Sequence, residues 1–98
     1  MRVARRIGRN STPGHGNGER ILVVDDDPGL LRLLSIRLRS EQYEVLPMGN
    51  AIDALAQVDT FRPDLVITDL RMDRMNGIAL LEELQVRRPG LKVILVTA

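Results

Sequence analysis

From Glu19 onward the chain alternates between two hydrophobic rhythms. Ile21-Leu22-Val23-Val24 is an unbroken apolar run of the length expected of a strand buried on both faces. Asp27 can cap a following helix, and Pro28 suits its first turn. The spacing then predicts a helix with Leu30, Leu31, Leu34 and Leu38 on one side and Arg32, Ser35 and Arg39 opposite. Tyr43 to Leu46 reads as a second strand. Asn50 caps a helix holding Ile52, Leu55 and Val58, with Asp53 in the first turn, where the helix dipole favours an acid. Arg62-Pro63-Asp64 ends that helix, and Leu65-Val66-Ile67-Thr68 is a third strand. A loop closing on Asn76-Gly77 opens a third helix with Ile78, Leu81 and Leu84 facing inward. Arg87 and Arg88 complement its carboxyl end, and Pro89-Gly90 stop it. Val93 to Val96 gives a fourth strand. The order βαβαβαβ predicts an α/β fold, a parallel sheet with helices on both faces.

Residues 1–18 break the pattern. They hold almost nothing apolar, and Pro13, Gly14, Gly16, Asn17 and Gly18 crowd their end. This composition predicts a disordered basic leader, with residues 19–98 forming the domain. The leader carries four arginines and no acid, a charge of +4, which leaves −3 on residues 19–98. The body is thus a poor match for a phosphate backbone, and DNA contact is expected only through an output domain not present in the chain. The arginine pair Arg5-Arg6 is not followed by an apolar stretch, which argues against an export signal. His15, the one histidine, lies among glycines and reads as a bystander.

The 98 residues suffice for one small domain. There is no cysteine, so disulfides and thiolate metal sites are excluded, which fits a reducing cytoplasm. No apolar run approaches the roughly 18 residues of a membrane span.

Parallel sheets bind ligands beyond the carboxyl ends of their strands. Asp25, Asp26 and Asp27 follow the first strand and Asp69 follows the third. Asp27 is well explained as a helix cap. Asp69 is not, because Leu70 opens a loop rather than a helix, so an acid there points to a site. If the two strands are neighbours, their carboxylates converge. Two such charges about 4 Å apart repel by roughly 4 kcal/mol at an effective dielectric near 20. A hard divalent cation relieves that repulsion, and oxygen ligands with retained waters are what Mg²⁺ prefers. Thr97 closes the fourth strand on the same rim, where its hydroxyl could bond an oxygen on Asp69.

The runs Ile21 to Pro28, Pro63 to Asp69, Met72 with Gly77, and Val96-Thr97-Ala98 resemble the receiver domain of two-component response regulators. The likeness covers residues 20–98. The Asp69-Leu70-Arg71-Met72-Asp73 loop and the Leu-rich first helix resemble its NtrC-type activators. The resemblance implies a flavodoxin-like (CheY-like) three-layer αβα sheet, with the four strands in the order 2-1-3-4. It implies a phosphoacceptor, Asp69, loaded by a sensor histidine kinase in the bacterial cytoplasm, in a signalling domain rather than an enzyme. Mg²⁺ would be held by Asp26 directly, by Asp25 largely through water, by Asp69 and by the backbone carbonyl of Arg71. Thr97 would turn toward the phosphoryl group and pass on the signal.

Two departures stand out. Asp73 follows Met72 where the family usually has proline. The chain also ends at Ala98, before the family's fifth strand, last two helices and phosphate-pairing lysine. The expectation is therefore an incomplete domain without a catalytic lysine, at a cost on the order of 10²–10³ in rate. A bare apolar edge at Val93–Val96 is expected to drive self-association. Two rivals use the same residues. One is a phosphorylation-independent binding or dimerisation module. The other is a haloacid-dehalogenase-type phosphatase with Asp25 as nucleophile and Asp27 as acid, although the later lysine and acidic pair of that family do not follow.

Overall fold

Each apolar run of the alternating pattern becomes a strand, and each amphipathic stretch becomes the crossover between two of them. The computed structural model describes residues 18–97 and the backbone of residues 2–5. The elements are β1 (Arg2–Arg5), β2 (Arg20–Val24), α1 (Pro28–Ser40), β3 (Glu44–Met48), α2 (Ala51–Phe61), β4 (Leu65–Asp69), α3 (Gly77–Arg87) and β5 (Lys92–Thr97).

The helix ends follow their predicted chemistry. Asp27 accepts from the Gly29 and Leu30 N–H groups at 2.9 and 3.2 Å, and Pro28 opens α1. Asn50 accepts from the Asp53 N–H at 2.8 Å, and Asn76 accepts from the Ala79 N–H at 2.9 Å. Arg62 ends α2 in the left-handed region, φ 55°, and its N–H bonds the Val58 carbonyl.

The sheet order is β1-β5-β4-β2-β3, with β2, β3, β4 and β5 all parallel. Among the four predicted strands this is the expected 2-1-3-4. The chain leaves β2 toward β3 on one side, then returns across it to β4 on the other. That reversal opens a crevice at the carboxyl ends of β2 and β4. Two cores flank the sheet. Leu22, Val24, Val66, Val93 and Leu95 pack with α2 and α3 on one face, while Ile21, Val23, Ile67 and Val96 pack with Leu31, Leu34 and Leu38 of α1 on the other.

Ile78, expected to face inward, does not, and two other members of the helices' apolar sets are exposed with it. Leu30, Ile52 and Ile78 are 36%, 45% and 43% exposed. All lie in the first turn of their helices. In α2 and α3 a small neighbour, Ala51 or Gly77, fills the buried slot, and at α3 the main chain of Asp69 and Leu70 lies so close that only glycine fits. On α1 the buried position opposite the sheet goes to Ser35, expected outside, whose hydroxyl is satisfied by the Leu31 carbonyl at 2.7 Å.

At residues 2–5 the structure differs from the disordered leader expected over residues 1–18. Residues 2–5 form a strand rather than a disordered arm, pairing antiparallel with β5 in the register Arg2↔Thr97, Val3↔Val96 and Arg5↔Leu95. The Leu95–Thr97 end of the β5 edge is therefore not bare: there the N–H and C=O groups that an edge strand presents are met by the chain's own first residues. Residues 6–17, with His15, and Ala98 lie outside the described residues. No helix among the described residues is long and apolar enough to cross a membrane.

Candidate functional site

Register decides which acids meet. In the parallel pair β2–β4, Val24 stands opposite Thr68, so the residues that follow, Asp25 and Asp69, leave the sheet side by side. Asp25 extends its ladder by donating its N–H to the Met48 carbonyl at 3.1 Å, and Leu70 does the same to the Val96 carbonyl at 2.9 Å. Both acids are thus fixed by backbone bonds at the rim. Carboxylate oxygens of Asp25, Asp26 and Asp69 lie within 4.8 Å of one another, with Asp25 buried, Asp69 half-buried and Asp26 exposed.

Each carboxylate has a distinct setting. Asp25 accepts the Asp27 N–H at 2.9 Å, which orients it. Burial pushes its carboxyl above the usual carboxylate value; the Asp27 bond works against that push, and the charges of Asp69, Asp26 and Asp27 add to it. Asp69 accepts the Arg71 N–H at 3.4 Å, which draws the Arg71 backbone against the site while its side chain points to solvent. Asp27 spends its own carboxylate on the cap of α1 and is not free to act as an acid toward a substrate of Asp25.

The other rim residue, Thr97, ends β5 one position beyond Val96, which stands opposite Asp69. The sheet places Thr97 at the same end as the acids and leaves it partly exposed.

Three carboxylates so close are unfavourable unless a cation sits among them, and the donor set is all hard oxygen. The residues present fit a Mg²⁺ site. Asp69 projects into this pocket from a strand end instead of capping a helix; the cap of α3 is Asn76, seven residues on.

Two further residues shape the site. Gly77 contributes to the resemblance, but its physical role was not legible there: a Cβ on it would strike the Asp69 carbonyl oxygen and stand 3.0 Å from Leu70 Cα. Its N–H donates to the Leu70 carbonyl at 3.0 Å. Thr68 was read only as a strand residue. It is fully buried and its hydroxyl donates to the Asp69 carbonyl at 3.1 Å. The available signal was a lone hydroxyl ending the aliphatic run Leu65-Val66-Ile67.

Residues 21–98 match the response regulator receiver domain family. The transcriptional regulatory protein GlrR of Escherichia coli K12 is 49% identical over 78 residues, which are 80% of this chain and 18% of GlrR. The DNA-binding response regulator MtrA of Mycolicibacterium smegmatis is 42% identical over 80 residues, 82% of this chain and 35% of MtrA. The chain thus spans less than a fifth to about a third of these relatives. Among solved structures, the response regulator TrrA of Thermotoga maritima in complex with Mg²⁺-BeF superposes with a TM-score of 0.78 at 38% identity, covering 82% of this chain and 70% of TrrA. A complex of histidine kinase ThkA with TrrA matches with a TM-score of 0.76 at 38% identity, covering 82% of this chain and 69% of the matched one.

Proposed function

The chain belongs to the response regulator receiver domain family, and from that membership we propose that Asp69 accepts a phosphoryl group from a sensor histidine kinase with Mg²⁺ bound beside it. One observation supports this above the rest: the oxygens of Asp25, Asp26 and Asp69 converge within 4.8 Å at the rim where β2 and β4 end.

Asp69 is the nucleophile. Its carboxylate oxygen forms the new O–P bond as the P–N bond to the donor imidazole breaks, and the imidazole leaves with the electron pair and takes up a proton. The Arg71 N–H steadies the Oδ1 oxygen of Asp69. Asp25, held by the Asp27 N–H, and Asp26 would hold the cation, with Asp69 and the Arg71 carbonyl as further ligands. A bound Mg²⁺ would supply neutralisation of charge on the phosphoryl group. Thr97, on the same rim, meets the phosphoryl group and biases the surface around β5.

The chain is a phosphoacceptor and not an enzyme with a separate substrate. The likeness to TrrA, solved with a histidine kinase and with Mg²⁺-BeF, supports both the kinase partner and the metal. The likeness to the transcriptional regulatory protein GlrR and the DNA-binding response regulator MtrA supports control of transcription through a further domain, while the NtrC type and a cytoplasmic location rest on the sequence resemblance alone. The test is intact mass after incubation with Mg²⁺ and a small acyl phosphate. The wild-type chain gains one phosphoryl group and D69N gains none. Equal labelling of D69N, or labelling that depends on Asp25 alone, would sink the proposal.

A further inference from the structure

The backbone of Asp69 and Leu70 is held from several sides. Leu70 donates to the Val96 carbonyl at 2.9 Å, its carbonyl accepts the Gly77 N–H at 3.0 Å, and the Asp69 carbonyl accepts the Thr68 hydroxyl at 3.1 Å. Thr68 has no exposed surface, and its neighbours across the sheet are Val24 and Leu95, both in the apolar core under α2 and α3. Packing alone gives no reason for a hydroxyl there. Valine has the same shape, would bring no polar group into that core, and is commoner in such a place. The hydrogen bond that the Thr68 hydroxyl makes goes to the backbone of the neighbouring acid, on the opposite side of the strand from the acid's own carboxylate.

We infer that Thr68 is a positioning residue for Asp69: its buried hydroxyl fixes the Asp69 carbonyl and, through it, the direction in which the carboxylate leaves the strand. The inference rests on the acceptor reading of Asp69. Orientation matters at this point because the carboxylate must serve as nucleophile and cation ligand at once, and small displacements of a reacting group are costly. A Thr68 that served packing alone would give the opposite pattern in substitutions. Its methyl contributes to the core, while its hydroxyl contributes only to the Asp69 backbone.

The experiment compares the wild-type chain with T68V, T68S and D69N, measuring the rate of phosphorylation by a small acyl phosphate, Mg²⁺ affinity by calorimetry, and the thermal midpoint. T68V is expected to slow phosphorylation by about tenfold and weaken Mg²⁺ binding, with a midpoint close to wild type, because removing a hydroxyl from the core offsets the hydrogen bond lost. T68S keeps the hydroxyl and is expected to load near the wild-type rate, although loss of a buried methyl lowers its midpoint. Rate then follows the hydroxyl and stability follows the methyl. A T68V chain that loads and binds Mg²⁺ like wild type overturns the inference, as does a T68S chain as slow as T68V. If the wild-type chain neither loads at Asp69 nor binds Mg²⁺, the acceptor reading itself fails and the Thr68 role falls with it.

Discussion

At the scale of single residues, Asp25 shows what assembling the site costs the fold. Its carboxyl is buried beside two other acids, and its proton affinity in the folded chain is raised above the ordinary value of 3.8. The folded state therefore binds more protons than the unfolded state over the window that opens at that value and runs up to the raised one. By linkage, this group makes stability fall as pH rises through the window, and its penalty is fully present above it. Replacing Asp25 with Asn keeps an acceptor for the Asp27 N–H while removing the charge. In the absence of divalent cations, thermal melts at neutral pH are expected to give D25N a higher midpoint than wild type. Added Mg²⁺ should raise the wild-type midpoint and move D25N much less. A D25N midpoint at or below wild type without cation would contradict this account of the carboxylate cluster.

At the scale of elements, the entry of α3 is the tightest junction in the site. The first residue of the helix lies so near the Asp69–Leu70 backbone that no side chain fits, and the atoms it would meet belong to the main chain and cannot rotate away. Gly77→Ala is expected to cost about 1–3 kcal/mol of stability, the usual range for overpacking, and to slow phosphorylation because the displaced atoms carry the acceptor. Urea unfolding would measure the first effect and intact mass the second; an unchanged unfolding midpoint would show that the helix can shift freely. The same close approach explains why Ile78 does not face inward. Periodicity identifies α3 but favours a large residue for the inward side, whereas Gly77 occupies the buried position. Caps were more legible, since Asp27 and Asn50 act on N–H groups two or three residues away.

At the scale of the whole molecule, the edge beyond β5 is the feature least visible in the pattern. Residues 2–5 lie some ninety positions from their partners Leu95, Val96 and Thr97, and their arginines do not announce a strand. Removing residues 1–5 would uncover Leu95–Thr97 and leave the whole of β5 able to pair with a second copy. Sedimentation velocity is expected to show concentration-dependent association for the shortened chain and none for the intact one. A shortened chain that stays monomeric at high concentration would mean that β1 is not what protects the edge.

The sequence by itself determined the order of strands and helices, the caps, and the presence of acids at the strand ends, because each of these depends on interactions within about a dozen residues. Its motifs also gave the family, and with the family an expectation of strand order. Only the tertiary structure decided that Val24 stands opposite Thr68, so that Asp25 and Asp69 become neighbours, that Gly77 touches the acceptor backbone, and that the chain's first residues close its last strand. These are contacts between segments far apart along the chain. Their energies depend on register and distance across the sheet, which local periodicity does not encode.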